Sequence, residues 1–280
     1  MLGATGMLGN AVLRLFAQSP DHTVFGSTRS GALHHRFPEE LRPHLVDNVD
    51  VENFDALARL FGQVRPDAVI NCVGLVKQLA EANDPLAAIP INALLPHRLA
   101  HLCRIAGARL VHISTDCVFD GSRGGYVEED RPDACDLYGR SKLLGEVDYE
   151  NTVTLRTSII GHELNSAHGL IEWFLAQEGS VRGYPRAVFS GLPTVELARV
   201  IRDFVLPRPD LRGLYHLSAE PISKHDLLAI VADIYGKSID IVPDDQLAID
   251  RSLKSDRFRS ATGYRPPAWP DLVRAMRDFG

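Results

Sequence analysis

Residues 3–9 read Gly3-Ala4-Thr5-Gly6-Met7-Leu8-Gly9, and an apolar helical pattern at Leu8, Val12, Leu15 and Phe16 begins inside this stretch. Glycines at G-x-x-G-x-x-G spacing permit a tight turn and let backbone N–H groups approach a pyrophosphate. The positive end of the helix that follows favours the same negative charge. The plain alternative is a glycine-rich turn capping an ordinary helix. What the rest of the chain does separates the two.

Downstream, strand-like and helix-like apolar segments alternate, which implies βαβ units and a parallel sheet. Residues 22–26 read as a strand, and Phe54, Leu57, Leu60 and Phe61 mark a helix by their three- and four-residue spacing. Ala68-Val69-Ile70-Asn71 reads as a buried strand ending in Cys72-Val73-Gly74. Residues 92–105 read as a long helix, and 110–114 as the next strand with Thr115 at its carboxyl end. A helix through Lys142 to about Tyr149, a strand over 153–160, a helix over 169–174 and a short strand over 186–189 follow. Thr194 is a fitting N-cap for a further helix, and residues 223–236 form an amphipathic helix from Ser223 to Gly236.

The fold class expected is therefore α/β: a Rossmann-type doubly wound parallel sheet with a small interleaved C-terminal lobe. Residues 1–160, with parts of 186–218, make the dinucleotide-binding domain, and 161–280 mainly the second lobe. Ligands in such sheets bind outside the carboxyl ends of the strands. The glycine loop, Cys72–Gly74 and Ser114–Asp116 thus point at one crevice. Such a loop normally follows a strand of about five or six residues, yet only Met1 and Leu2 precede Gly3. The first strand is largely missing from this sequence, and a misassigned start or a truncated fragment is the expected cause.

Composition narrows the function. A 280-residue chain that is 45% hydrophobic suits one large α/β domain or a domain with an appendage. A net charge of −6 without a basic patch speaks against nucleic acid as a partner. Cys72, Cys103, Cys117 and Cys135 form no C-x-x-C pair, which argues against zinc and a disulfide framework, so no metal is expected. His34-His35 likewise form no metal-ligand spacing and read as surface loop. No apolar run approaches the roughly 18 residues that span a bilayer, so no membrane partner is expected. A reducing, cytoplasmic setting is the expectation.

Tyr138 and Lys142 stand one helical turn apart, which puts a phenol and an ammonium on one helix face. A nearby ammonium favours phenolate and lowers the tyrosine pKa, making the phenol a usable proton donor. Alone, the pair reads first as two residues on a solvated helix face. Its setting is more specific: Ser114-Thr115-Asp116-Cys117-Val118-Phe119-Asp120-Gly121, then Tyr126-x-Glu128-x-Asp130-x-Pro132, then Tyr138-Gly139-Arg140-Ser141-Lys142-Leu143-x-Gly145-Glu146. With the glycine loop, these motifs resemble the extended short-chain dehydrogenase/reductases, and among them the dTDP-4-dehydrorhamnose reductase family.

That resemblance implies NADPH-dependent reduction of the 4-keto group of a nucleotide-linked 6-deoxysugar, with a nucleotide-sugar substrate and a homodimer as an open expectation. It makes Tyr138 the proton donor, Lys142 the holder of the nicotinamide ribose and Thr115 the hydroxyl on the keto oxygen. It places Asp116 and Cys117 beside the sugar; for Asp116, a strand-end carboxylate capping a turn is an equal alternative. Gly3, Gly6 and Gly9 surround the pyrophosphate, with Met7 and Leu8 giving amides, and Ser114 borders the cofactor. Thr28 and Arg29 follow the second strand. An Arg there accommodates the 2′-phosphate of NADP, whereas an acidic residue would bind the NAD ribose. No Asp or Glu occurs from Val24 through Arg36, so NADPH is expected, with NADH as the alternative. Asp47 approaches the adenine, and Cys72, Val73 and Gly74 line the adenosine ribose side.

Several positions depart from the family pattern. Cys117 stands where an aromatic residue is common, Asn71-Cys72-Val73-Gly74-Leu75-Val76-Lys77 replaces an Asn-Ala-Ala-Ala-Tyr-Thr stretch, and Gly191-Leu192-Pro193-Thr194 stands at a Gly-Ser-Pro-Thr-like turn. Lys77 reads either as a phosphate or carboxylate contact or as a solvated loop residue. Arg251 and Arg257 are cations for a nucleotide diphosphate or members of structural ion pairs. Cys117 has no neighbouring histidine in sequence to activate it. Two other functions share the motifs: epimerases and 4,6-dehydratases with tightly bound NAD, and the NADP-binding, non-catalytic regulatory subunit of methionine adenosyltransferase.

Overall fold

The computed structural model describes residues 1–76, 80–164 and 169–280; Lys77 lies outside the described residues. In chain order the elements are α1 (Met7–Ala17), β1 (Gly26–Ser27), β2 (Leu45–Val46), α2 (Phe54–Val64), β3 (Ala68–Asn71), α3 (Pro85–Ala88), α4 (Leu95–Ala106) and β4 (Arg109–Thr115). Then come α5 (Leu137–Leu144), β5 (Thr152–Thr157), β6 (Ile159–Ile160), α6 (Leu170–Ala176), β7 (Ser180–Gly183), β8 (Ala187–Phe189), β9 (Leu192–Pro193) and α7 (Thr194–Val200). The chain ends through β10 (Gly213–His216), β11 (Ile222–Ser223), α8 (Lys224–Tyr235), β12 (Asp240–Pro243), β13 (Ile249–Asp250), α9 (Asp256–Thr262) and α10 (Trp269–Phe279).

The main sheet is parallel. β1 pairs with β2, and β3, β4, β5 and β10 follow one another in that order. Leu2 joins the two halves, bridging Ser27 on one side and Asn71 on the other. Its N–H donates to Ile70 O (2.9 Å), and its carbonyl accepts from Cys72 N (3.2 Å). The order across the sheet is β2, β1, Leu2, β3, β4, β5, β10, and the winding reverses at Leu2. That reversal is where open α/β sheets bind ligands.

Both faces of the sheet are covered. Leu8, Val12 and Phe16 of α1 join Leu197 and Ile201, together with Leu272 and Val273 of α10, against Ile70, Val111 and Val153. Leu57 and Phe61 of α2 and Leu95 and Leu99 of α4 pack on Val69 and Leu110 from the other side. Strand β4 is buried on both faces, so its inner positions carry Leu110 and Val111 alongside a fully buried His112. Three smaller pairings, β11–β8–β13, β12–β7 and β6–β9, lie outside the main sheet.

The structure corrects four boundaries. The strand expected over 22–26 forms its ladder at Gly26–Ser27, because Met1 and Leu2 are its neighbours on that side. The helix expected from Asn92 is α4 from Leu95, preceded by a π-helical turn at Ile89–Leu94. The strand expected over 153–160 breaks at Ser158, whose carbonyl accepts from Leu192 N (2.8 Å) and so hands the chain from β5 to the β6–β9 pair. The helix expected to reach Tyr149 ends at Leu144. Gly145 then lies against the 89–94 turn so closely that a Cβ would fall 2.0 Å from Asn92 O.

Candidate active site

The glycine loop has the backbone that anion binding requires. Gly3 adopts φ +83°, and a Cβ there would sit 3.0 Å from Val73 Cγ2. Gly6 N donates to Gly3 O (3.1 Å), closing the turn, and no side chain caps α1. Helix amides of the first turn lack intrahelical acceptors, so this end offers unpaired donors. At Gly9 a Cβ would fall 1.9 Å from Gly3 O, so only glycine lets α1 approach the loop this closely. The Leu8 side chain is buried, leaving its amide as what it can offer. These features fit a dinucleotide pyrophosphate.

At the end of β1, Thr28 is buried, and its hydroxyl donates to Asp47 Oδ1. His34 Nε2 reaches the same oxygen at 2.6 Å. The Asp47 carboxylate, just past β2, is thereby turned onto the segment that follows β1. Arg29 is exposed and makes no ion pair with a described residue. It is free to meet an anion.

On the other side of the reversal, Gly74 connects the 72–74 segment to α5, since a Cβ there would lie 3.8 Å from Lys142 Nζ. The Cys72 thiol is pushed up to about 12 by burial and stays neutral. Asn92 holds this segment, accepting from Leu75 N (2.9 Å) and donating to Leu75 O (3.3 Å) and Ser141 Oγ (3.2 Å). Asn92 is a site residue that the motifs do not reveal. Its one signal in the sequence is an amide in an otherwise apolar helical stretch.

Thr115, Asp116, Tyr138 and Lys142 meet at the carboxyl end of β4. Asp136 caps α5 by accepting from Gly139 N (2.7 Å), and Gly139 is needed because a Cβ would lie 2.3 Å from Cys117 O. The Thr115 hydroxyl acts on the Tyr138 phenol; its Oγ1 accepts from Cys117 N (3.1 Å) and donates to Asp116 Oδ1 (3.2 Å). Lys142 Nζ donates to Ile113 O (2.8 Å). Burial pulls the ammonium down to about 8, and Glu146 works against that fall. The expected lowering of the tyrosine pKa is not found. Burial, with Cys117, Asp116 and Asp136 nearby, raises it, while the Thr115 hydrogen bond lowers it. Desolvation sets the phenol pKa, and the ammonium one turn away is not among the groups that act on it.

Asp116 is buried, and burial raises its pKa against the pull of Arg251 and of hydrogen bonds from Cys117, Thr115 and Ser158. Arg251 is held by Phe119 O (2.8 Å) and Asp120 O (3.0 Å). Arg257 forms an ion pair with Glu129, the structural alternative of the two weighed for it. The Ser114 hydroxyl points away from the loop and donates to Glu146 Oε1 (2.7 Å). Beside this centre the Phe119 and Tyr126 rings stack at 4.1 Å, with Arg156 over Phe119 (5.3 Å) and Arg123 over Tyr126 (4.8 Å).

A doubly wound parallel sheet with a glycine loop, a strand-end threonine and a Tyr-x-x-x-Lys helix defines an extended short-chain dehydrogenase/reductase fold. The sequence model of the RmlD substrate binding domain matches residues 1–255, and the chain belongs to that family. Among similar proteins, methionine adenosyltransferase 2 subunit beta of Danio rerio is 30% identical over 247 residues, covering 83% of this chain and 72% of that protein. A probable low-salt glycan biosynthesis reductase of Haloferax volcanii is 34% identical over 145 residues, 51% of this chain and 46% of that protein. The dTDP-4-dehydrorhamnose reductase of Bacillus anthracis, solved in complex with NADP, superposes with a TM-score of 0.80 at 20% identity, covering 99% of this chain and 97% of that one. The dTDP-glucose 4,6-dehydratase of the same organism, in complex with NAD, gives 0.76 at 16% identity, covering 99% and 94%.

Proposed function

We propose that this chain is an NADPH-dependent reductase of the 4-keto group of a nucleotide-linked 6-deoxysugar, with residues 161–280 forming most of the sugar side. The observation that carries this is the convergence of Thr115, Tyr138 and Lys142 at the end of β4, with Lys142 Nζ held on Ile113 O (2.8 Å) beside Gly74. A bound nicotinamide supplies the hydride. The chain's own residues do the rest. The glycine loop and the α1 amides hold the pyrophosphate, Arg29 meets the 2′-phosphate, and Lys142 holds the nicotinamide ribose. Thr115 orients the keto oxygen, and Tyr138 gives the proton to the alkoxide that reduction leaves. A phenol kept protonated by burial carries that proton at neutral pH.

A second reading, a cofactor-binding subunit of another enzyme, is favoured by the relatives called methionine adenosyltransferase 2 subunit beta, which match 83% of the chain. Incubation with NADPH and a dTDP-4-keto-6-deoxyhexose separates the readings. The first expects NADPH oxidation matched by a 4-hydroxy product. NADPH binding without turnover across a panel of keto-sugars supports the second. Conversion without net NADPH use, on NAD that copurifies, points to an epimerase or dehydratase.

A further inference from the structure

Between α1, the start of α7 and the end of α10 lies a cavity of about 270 Å³, bordered by residues 162–164 and by Arg36. Met7, Asn10, Ala11 and Arg14 line it from α1, at the three- and four-residue spacing of one helix face. The Asn10 side-chain nitrogen is buried there without a hydrogen-bond partner. Arg14 is half-buried; its Nη2 donates to Phe279 O (2.5 Å) and its guanidinium lies 4.2 Å over the Phe279 ring, but it forms no ion pair among the described residues. Arg36, exposed at the edge, forms none either. We propose that this cavity is a binding site for a small doubly charged oxyanion, a phosphate or a dicarboxylate, distinct from the dinucleotide groove.

The donors call for an anion because the cavity wall does not answer them. A buried donor without an acceptor and a desolvated charge without a counterion both cost free energy, and one ligand that accepts from both removes the two costs together. Burial pulls the Arg14 guanidinium below its ordinary value, with no carboxylate to offset the fall. Among the described residues the lining has one acidic side chain, Glu163, and its Oε2 is engaged by Gly169 N (2.9 Å). The His162 ring is held by its neighbours, with Nδ1 2.6 Å from Glu172 Oε1 and Nε2 2.9 Å from the Tyr235 hydroxyl. Gly280 also borders the cavity, and its carboxylate pairs with neither guanidinium. The free donors are therefore Asn10, Arg14 and Arg36. A guanidinium fork matches two oxygens of a phosphate or a carboxylate. The volume lies just under the about 300–1,000 Å³ of pockets for drug-sized ligands, which suits an anion of few heavy atoms. Arg14 stands about 10 Å along the axis from Met7, the helix end that faces the pyrophosphate, so the two anion sites do not overlap.

Calorimetric titration of the full chain in phosphate-free buffer at fixed ionic strength tests the site, with inorganic phosphate and succinate as probes. The parent should bind at least one of them saturably, one per chain. Binding of phosphate alone assigns a phosphorylated ligand, and of succinate alone a dicarboxylate. Arg14→Gln, which breaks no ion pair, should weaken binding about tenfold or more, the worth of a hydrogen bond to a charged group. Arg14→Lys keeps the charge but loses the fork and should fall between the two. Asn10→Ala should weaken binding several-fold, and Arg36→Gln less, because water and salt screen an exposed charge. Should Arg14→Gln fail to fold, Asn10→Ala still reads the site. Saturation with NADPH should leave the affinity for the probe unchanged. Absence of saturable binding, unchanged affinity in Arg14→Gln or in Asn10→Ala, or displacement of the probe by NADPH overturns the proposal. The probes bind or fail to bind whether or not the chain reduces a keto-sugar, so the two readings stand or fall separately.

Discussion

At the scale of single residues, Tyr138 and Arg29 carry separable jobs. Tyr138→Phe keeps the ring but removes the proposed acid. NADPH affinity, read by fluorescence of the bound cofactor, should survive, while turnover of a 4-keto nucleotide sugar should fall about 10²–10⁴-fold, the usual worth of a positioned acid. Parent-level turnover in that variant would remove Tyr138 from the mechanism. Arg29 is exposed, so its removal disturbs no packing. Arg29→Ala should weaken NADPH by about 1.5–3 kcal/mol, the range for hydrogen bonds to charged groups, and leave NADH nearly unchanged. Calorimetric titration with both cofactors checks this. Equal losses would mean that the guanidinium does not read the 2′-phosphate.

At the scale of elements, α5 is the part on which the site depends, and its ends are set by close backbone approach. Gly145→Ala puts a methyl 2.0 Å from the Asn92 carbonyl. Neither atom is the end of a flexible side chain, so the helix must shift. We expect a loss of about 1–3 kcal/mol in urea unfolding, typical of overpacking, and weaker NADPH binding, because Lys142 rides on the same helix. Unchanged stability and affinity would show that α5 accommodates the methyl. This contact also shows what the sequence could not disclose. Strands β3 and β4 were legible because short β-branched, largely apolar stretches between helical patterns admit few other structures, and α8 because Ser223 and Gly236 mark its ends. The early end of α5 was not, since it follows from contact with a π-helical turn about 50 residues away in sequence. The break at Ser158 was hidden for the same reason: it is made by a hydrogen bond from Leu192. Within the site, the Tyr138–Lys142 pair could be read from spacing and Thr115 from the family resemblance, whereas the turned carboxylate of Asp47 and the Ser114 hydroxyl facing Glu146 are products of packing.

At the scale of the whole molecule, buried histidines tie stability to pH. Desolvation beside Arg156 pulls His216 down to about 3 from the usual 6.5, and burial next to Lys142 holds His112 well below it. The unfolded chain takes up these protons near pH 6.5, while the folded chain resists until far lower. Their stabilising effect is therefore complete above about pH 6.5 and lost progressively as the pH falls towards 3. Asp116 and Glu128, both raised by burial, act in the opposite sense: folding favours their protonated form, so their contribution diminishes as the pH rises above their unfolded values of 3.8 and 4.5. We expect the urea midpoint to drop between about pH 7 and 4.5, and His216→Gln to flatten that drop. An equally steep drop in the variant would mean that His216 titrates normally in the fold.

The stacked column of Arg123, Tyr126, Phe119 and Arg156 has a consequence for descent. Its two ends are under unequal obligation. Arg123 is more than half exposed and answers to one ring and one carboxylate, so a lineage can exchange it in a single step. Arg156 answers at once to a carboxylate, a histidine and a ring, and any heir that replaces it with an uncharged residue inherits an unpaired buried charge until position 146 changes too. Mutational paths through this protein therefore run inward from the loop end of the column, with positions 146 and 156 changing together or not at all.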